Sequence, residues 1–88
     1  MRRIFKYPLG IIGGIQQIEM PAGAQVLHFG RVAETTNLWV LVDMMKVTLP
    51  RRFIIYGTGH EFLEGAGEHR YVGTITIGAY VWHCFEVV

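Results

Sequence analysis

The sequence predicts an all-β fold, a small antiparallel β-sandwich or barrel of six or seven strands, and three observations carry that expectation. Short runs of alternating apolar and polar residues recur along the 88-residue chain, each bounded by Gly or Pro. No segment holds a helical period for more than a turn or two. Composition agrees: 51% hydrophobic and 12% aromatic residues with only 17% charged residues mark a core-forming chain rather than a disordered one. At this length the chain, residues 1–88, is expected to form one domain.

Arg2 to Tyr7 is the first expected strand, with Ile4 and Lys6 on one face and Arg3, Phe5 and Tyr7 on the other. Pro8 ends its ladder. Leu9 to Gly14, with three glycines, is a connection, and Ile15 to Met20 resumes extended structure. Met20-Pro21-Ala22-Gly23 has the composition of a type I turn, so residues 15–31 are expected to form a hairpin. Arg31 to Asn37 is a polar loop, or the end of one strand and the start of the next. Leu38 to Asp43 is apolar on both faces, as expected of a strand covered on both sides.

Met44 to Pro50 is a connection with room for one helical turn. Arg51 to Tyr56 is again apolar on both faces and is expected at the centre of the β core. It runs into the most specialised stretch of the chain, Gly57-Thr58-Gly59-His60. Gly57 to Arg70 is otherwise irregular. Tyr71 to Ile77 alternates, with Tyr71, Gly73, Ile75 and Ile77 against Val72, Thr74 and Thr76. A Gly78-Ala79 turn then leads into a last strand, Tyr80 to Val88, completing a hairpin.

Charge and cysteine content narrow the function classes. Eight Lys plus Arg against seven Asp plus Glu give a net charge of +1, without the basic excess of a nucleic-acid binder. The clusters Arg2-Arg3-Lys6 and Arg51-Arg52 are expected as solvated strand edges. One cysteine, Cys84, is expected as a buried, inert thiol in a reducing cytoplasm. No signal peptide is evident, and no apolar run approaches a transmembrane span. So much apolar residue in so small a domain predicts a homo-oligomer.

The candidate ligand-binding residues are Gly57, Thr58, Gly59, His60, Trp82 and His83. Two glycines give the turn backbone freedom, and its amides resemble a short anion cradle for a phosphate or carboxylate. His60-Glu61-Phe62-Leu63-Glu64 departs from the zinc pattern H-E-x-x-H at its fifth position, so neither a metal nor a cofactor is expected. The chain contains no serine, and no motif-level nucleophile stands out.

The set KYPL, QQIEMPAGA, LWVLVD, IYGTGH, YVGT and VWHCFE resembles a family of small proteins from phages and bacterial genomes, a domain of unknown function. The resemblance spans nearly the whole chain, departing at MMKVTLPRR, and implies a phage or prophage origin and a small β domain. The expected function is that of a non-enzymatic, phage-type binding protein in the host-cell cytoplasm. It would capture a host protein or a small, possibly nucleotide-derived ligand, and counteract host defence. The alternatives are a small metal- or His-dependent hydrolase built from His60, Glu61, His69 and His83, and a structural virion or assembly protein.

Overall fold

The computed structural model describes residues 1–88 and contains seven strands and no helix. The strands are β1 (Arg2–Pro8), β2 (Gln16–Pro21), β3 (Gln25–Val32), β4 (Thr35–Asp43), β5 (Thr48–Gly57), β6 (His69–Ile77) and β7 (Tyr80–Val87). One antiparallel sheet has the order β1-β4-β3 and the other β2-β5-β7-β6. The arrangement matches the all-β sandwich expected from the sequence.

All seven strands contribute to the space between the sheets. Met20, Phe29, Leu38, Val40, Val42, Phe53, Ile55 and Cys84 are buried there, and Phe5, Tyr7, Val72, Ile75 and Trp82 pack around them. Fully burying a side chain such as Phe53 or Leu38 stabilises the fold by about 1.5–3 kcal/mol. Burial, reinforced by the nearby charge of Glu86, pushes the Cys84 thiol up to about 12, far from nucleophilic chemistry.

The strand β5 is central, as expected, with β2 on one side and β7 on the other. It begins three residues earlier than the sequence suggests. A tight turn follows Asp43, where the Lys46 amide donates to the Asp43 carbonyl, and Thr48 to Pro50 already pair with β2. Pro50 is tolerated because β7 reaches only as far as Arg52, leaving the side of Pro50 away from β2 without a ladder.

The expected hairpin over residues 15–31 does not form. β2 pairs with β5, while β3 pairs with β4 in the other sheet. The turn between them is also shifted by one residue. Ala24 donates its amide to the Pro21 carbonyl at 3.1 Å, which makes Gly23 the third residue, and its φ of 75° suits a type II turn. The turn therefore carries the chain from one sheet to the other. Arg31 to Asn37, by contrast, is the end of one strand and the start of the next, joined by a two-residue connection at Ala33-Glu34.

The β6–β7 hairpin is present, closed by Ile77 opposite Tyr80. Gly78, with a φ of 58°, takes the first central position, the place for glycine in a type II′ turn. Strict alternation along β6 fails, however, because the ladder shifts between Tyr71 and Gly73. One extra residue reverses the facing of what precedes it. Val72 thus packs against the core, and Tyr71 lies on the outer face, where its hydroxyl meets Thr74 Oγ1 at 2.6 Å.

Arg51 is not a solvated edge. Its guanidinium grips Glu86 through two bonds of 2.7 Å and also donates to the Ala24 carbonyl, tying β5 and β7 to the turn between the sheets. Hydrogen bonding to Glu86 raises the guanidinium's pKa above its ordinary value.

Candidate functional site

Gly57 ends β5 and opens a type II turn, in which the His60 amide donates to the Gly57 carbonyl at 3.0 Å. Gly59 occupies the third position with a φ of 90°, open to glycine and strained for other residues. Gly57 is required for a different reason. A Cβ there would lie 2.9 Å from His60 Cε1 and 3.2 Å from Trp82 Cζ3, because both rings close over its backbone.

The His60 ring is held in one tautomer. The Gly57 amide donates to His60 Nδ1 at 3.1 Å, so the proton of the neutral ring is on Nε2. Trp82 stands edge-on to that ring, with centroids 6.1 Å apart. Trp82 is placed there because β7 pairs with β5 in a register that sets it opposite Gly57.

His83, next in β7, points to the other face of the sheet. Its Nε2 meets Thr58 Oγ1 at 2.8 Å and its Nδ1 meets Thr74 Oγ1 at 3.0 Å. The six candidate residues thus gather at one end of the β5–β7 pair, with Trp82 and His83 divided between its two faces.

His60 borders three clefts. A cleft of about 510 Å³ lies along Ile54, Tyr56, Phe62 and Leu63, with Glu61 and Glu64 at its rim. A second, of about 380 Å³, is lined by Gly57, Thr58, Tyr80 and Trp82. The third, of about 310 Å³, lies between Trp82 and the Ile11–Gly13 connection. The turn does not act as an anion cradle, since three of its four amides are already used. Gly57 donates to His60, Thr58 to the Val81 carbonyl and His60 to the Gly57 carbonyl, leaving Gly59 alone.

The sequence matches the domain of unknown function DUF7352 over residues 1–88. The chain belongs to the DUF7352 family. No curated protein and no solved structure matches it.

In this DUF7352 domain the loop after His60 folds back over the outer face of the four-stranded sheet, a feature the sequence did not reveal. There Ile54, Tyr56 and Val87 form a second, smaller core, with Ala66 and Phe85 packed beside them. Phe62 stacks flat on Tyr56, with centroids 4.3 Å apart and an interplanar angle of 6°.

Polar groups lock that loop in place. His69 Nδ1–H donates to the Gly67 carbonyl at 3.1 Å, so its Nε2 accepts from the Tyr56 hydroxyl at 3.0 Å. The same hydroxyl accepts from the Leu63 amide at 2.9 Å. Clustered glycines and aromatics were the only sequence signal for this arrangement.

The residues named for a hydrolase form no common metal-holding group within the DUF7352 fold. His69 is committed to the loop lock and His83 to two threonines, while His60 faces Trp82. No three His, Cys, Asp or Glu side chains come together in a group that could hold a metal ion. No helix is long and apolar enough to cross a membrane.

Proposed function

We propose that this DUF7352 domain is a non-enzymatic binding protein that captures a small ligand, or a segment of a host protein, at the end of the β5–β7 pair. One observation carries the reading: His60 is fixed by the Gly57 amide with its Nε2–H directed away from that bond, at the junction of three clefts walled by aromatic and aliphatic side chains. Binding sites of this kind combine apolar walls with a few oriented polar groups. A ligand would present an acceptor to His60 Nε2 and lay an apolar or planar body against Trp82 and Tyr80.

A phosphate cradle at the turn is not part of this reading, because the amides that would form it donate inward. The phage-type setting implied by the family resemblance would make the partner a host molecule and the outcome interference with host defence.

The experiment is a binding screen by two-dimensional NMR on the labelled protein, paired with native mass spectrometry for a bound passenger. Expected are shifts clustered at Thr58, His60, Tyr80 and Trp82, and loss of binding in His60→Ala. Compounds that bind equally to His60→Ala, or shifts confined to the three-stranded sheet, would overturn the reading.

A further inference from the structure

Charge is unevenly spread over the chain. From Gly57 to Glu68 the loop carries Glu61, Glu64 and Glu68 and no Lys or Arg. The largest of the three clefts at His60, about 510 Å³, lies between this loop and β5. Its walls include Ile54, Tyr56, Phe62 and Leu63, and its only carboxylates are Glu61 and Glu64. None of the eight Lys and Arg residues lines any of the three clefts. Arg52, on the same face of β5 as Ile54 and Tyr56, turns instead to the Ala66 carbonyl at 3.4 Å.

Glu61 and Glu64 have no ionic partner within the chain. The ion pairs are those of the N-terminus with Asp43 and of Arg51 with Glu86, while both loop carboxylates are exposed. Between them in sequence, Phe62 and Leu63 are 48% and 51% exposed, although one face of the Phe62 ring rests on Tyr56.

These observations set the sign of what the cleft can take. A phosphate or carboxylate would meet two negative charges and no positive one, with the single His60 Nε2–H as its donor. A cation is attracted by both carboxylates and by the π surface of Phe62.

Building on the binding site proposed above, we infer that this cleft receives a lysine or arginine side chain from an extended segment of a partner protein. The aliphatic stem lies along Phe62, Leu63 and Ile54, and the charged head stays at the rim with Glu61 and Glu64. A backbone carbonyl of the segment accepts from His60 Nε2–H. Long basic side chains bury their stems and keep their heads in water, which suits carboxylates that are exposed at a rim. A small ammonium ion enclosed by the protein would need its carboxylates at the floor of the cleft.

The test is a titration of the labelled full chain by two-dimensional NMR with Nα-acetyl-lysine methylamide. Three counterparts carry an acetylated Nζ, a norleucine side chain or a glutamate side chain. The lysine compound is expected to shift the amides of His60 to Glu64, to bind about fivefold tighter than each counterpart, and to weaken as salt rises. The double variant Glu61→Gln/Glu64→Gln changes only exposed groups, keeps the wild-type circular dichroism and should lose about fivefold in affinity. n-Butylammonium, with stem and head but no carbonyl, should bind more weakly than the lysine compound.

Equal binding by all four compounds, or an unchanged affinity in the double variant, overturns the choice of a cation. If His60→Ala still abolishes that binding, the site itself stands. Binding of n-butylammonium as tight as that of the lysine compound overturns a peptide as the source. Shifts away from the cleft, or none, overturn the inference, and together with an empty general screen they remove the binding site as well.

Discussion

Gly57→Ala tests the geometry on which the candidate site rests. Gly57 has no positive φ, so its backbone accepts alanine. In open space the substitution would stabilise the protein by about 0.4–1 kcal/mol through the unfolded state. The space is not open. The new Cβ would lie 2.9 Å from His60 Cε1, 3.1 Å from His60 Nδ1 and 3.2 Å from Trp82 Cζ3.

The His60 ring must therefore leave, breaking its bond to the Gly57 amide, a loss of about 0.5–1.5 kcal/mol. Crowding against Trp82 adds a penalty drawn from the ~1–3 kcal/mol typical of overpacking. The net expectation is destabilisation by about 1–2 kcal/mol after the unfolded-state gain. In a domain of this size that lowers Tm by roughly 4–15 °C.

A double-mutant cycle isolates the cause. In a His60→Ala background the ring is already gone, so Gly57→Ala meets only Trp82 and should cost about 1 kcal/mol less than in wild type. Urea denaturation of the four proteins measures this. A Gly57→Ala protein as stable as wild type, or equal costs in both backgrounds, would refute the argument that His60 closes over Gly57.

Three further outcomes follow from the fold. Glu86→Ala strands the half-buried Arg51 guanidinium and should cost about 2–3 kcal/mol in urea denaturation, less than a fully buried pair because part of it meets water. Asp43 is held below its ordinary value of 3.8, chiefly by the Met45 amide and then by the N-terminal ammonium and Lys46. A depressed carboxylate contributes its stabilisation above the unfolded value and loses it as pH falls through the folded one. Asp43→Asn should therefore melt below wild type at neutral pH, with the difference closing under about pH 4 in a pH series of thermal melts. Ala33, at a φ of 52°, is the sole non-glycine residue in the left-handed region. Ala33→Gly should relieve part of that strain and raise stability by about 0.5 kcal/mol in urea denaturation, after the entropy cost of glycine.

Most strands were legible in the sequence because the signals that define them are local. Alternation at period two, Pro8 closing β1 and Gly78 opening the last turn each act within a few residues. The same locality placed Phe53, Ile55 and Cys84 inside, and marked Gly57 to His60 as unusual. Partner choice is not local. Met20-Pro21-Ala22-Gly23 names a turn, but a turn alone does not determine whether the next strand returns to the same sheet. Here β2 finds β5, more than twenty residues away, because Met20 and Phe53 both fill the space between the sheets.

Nor does alternation survive a bulge, which is why Tyr71 and Val72 exchanged faces. The Arg51–Glu86 grip spans 35 residues, and the Tyr56–His69 lock spans 13. The Trp82–His60 contact exists because β7 inserts beside β5 in one register. The chain's local chemistry determined where it extends and turns. The tertiary structure alone decided which side chains meet, because strand pairing and register are fixed by contacts made after distant segments have come together.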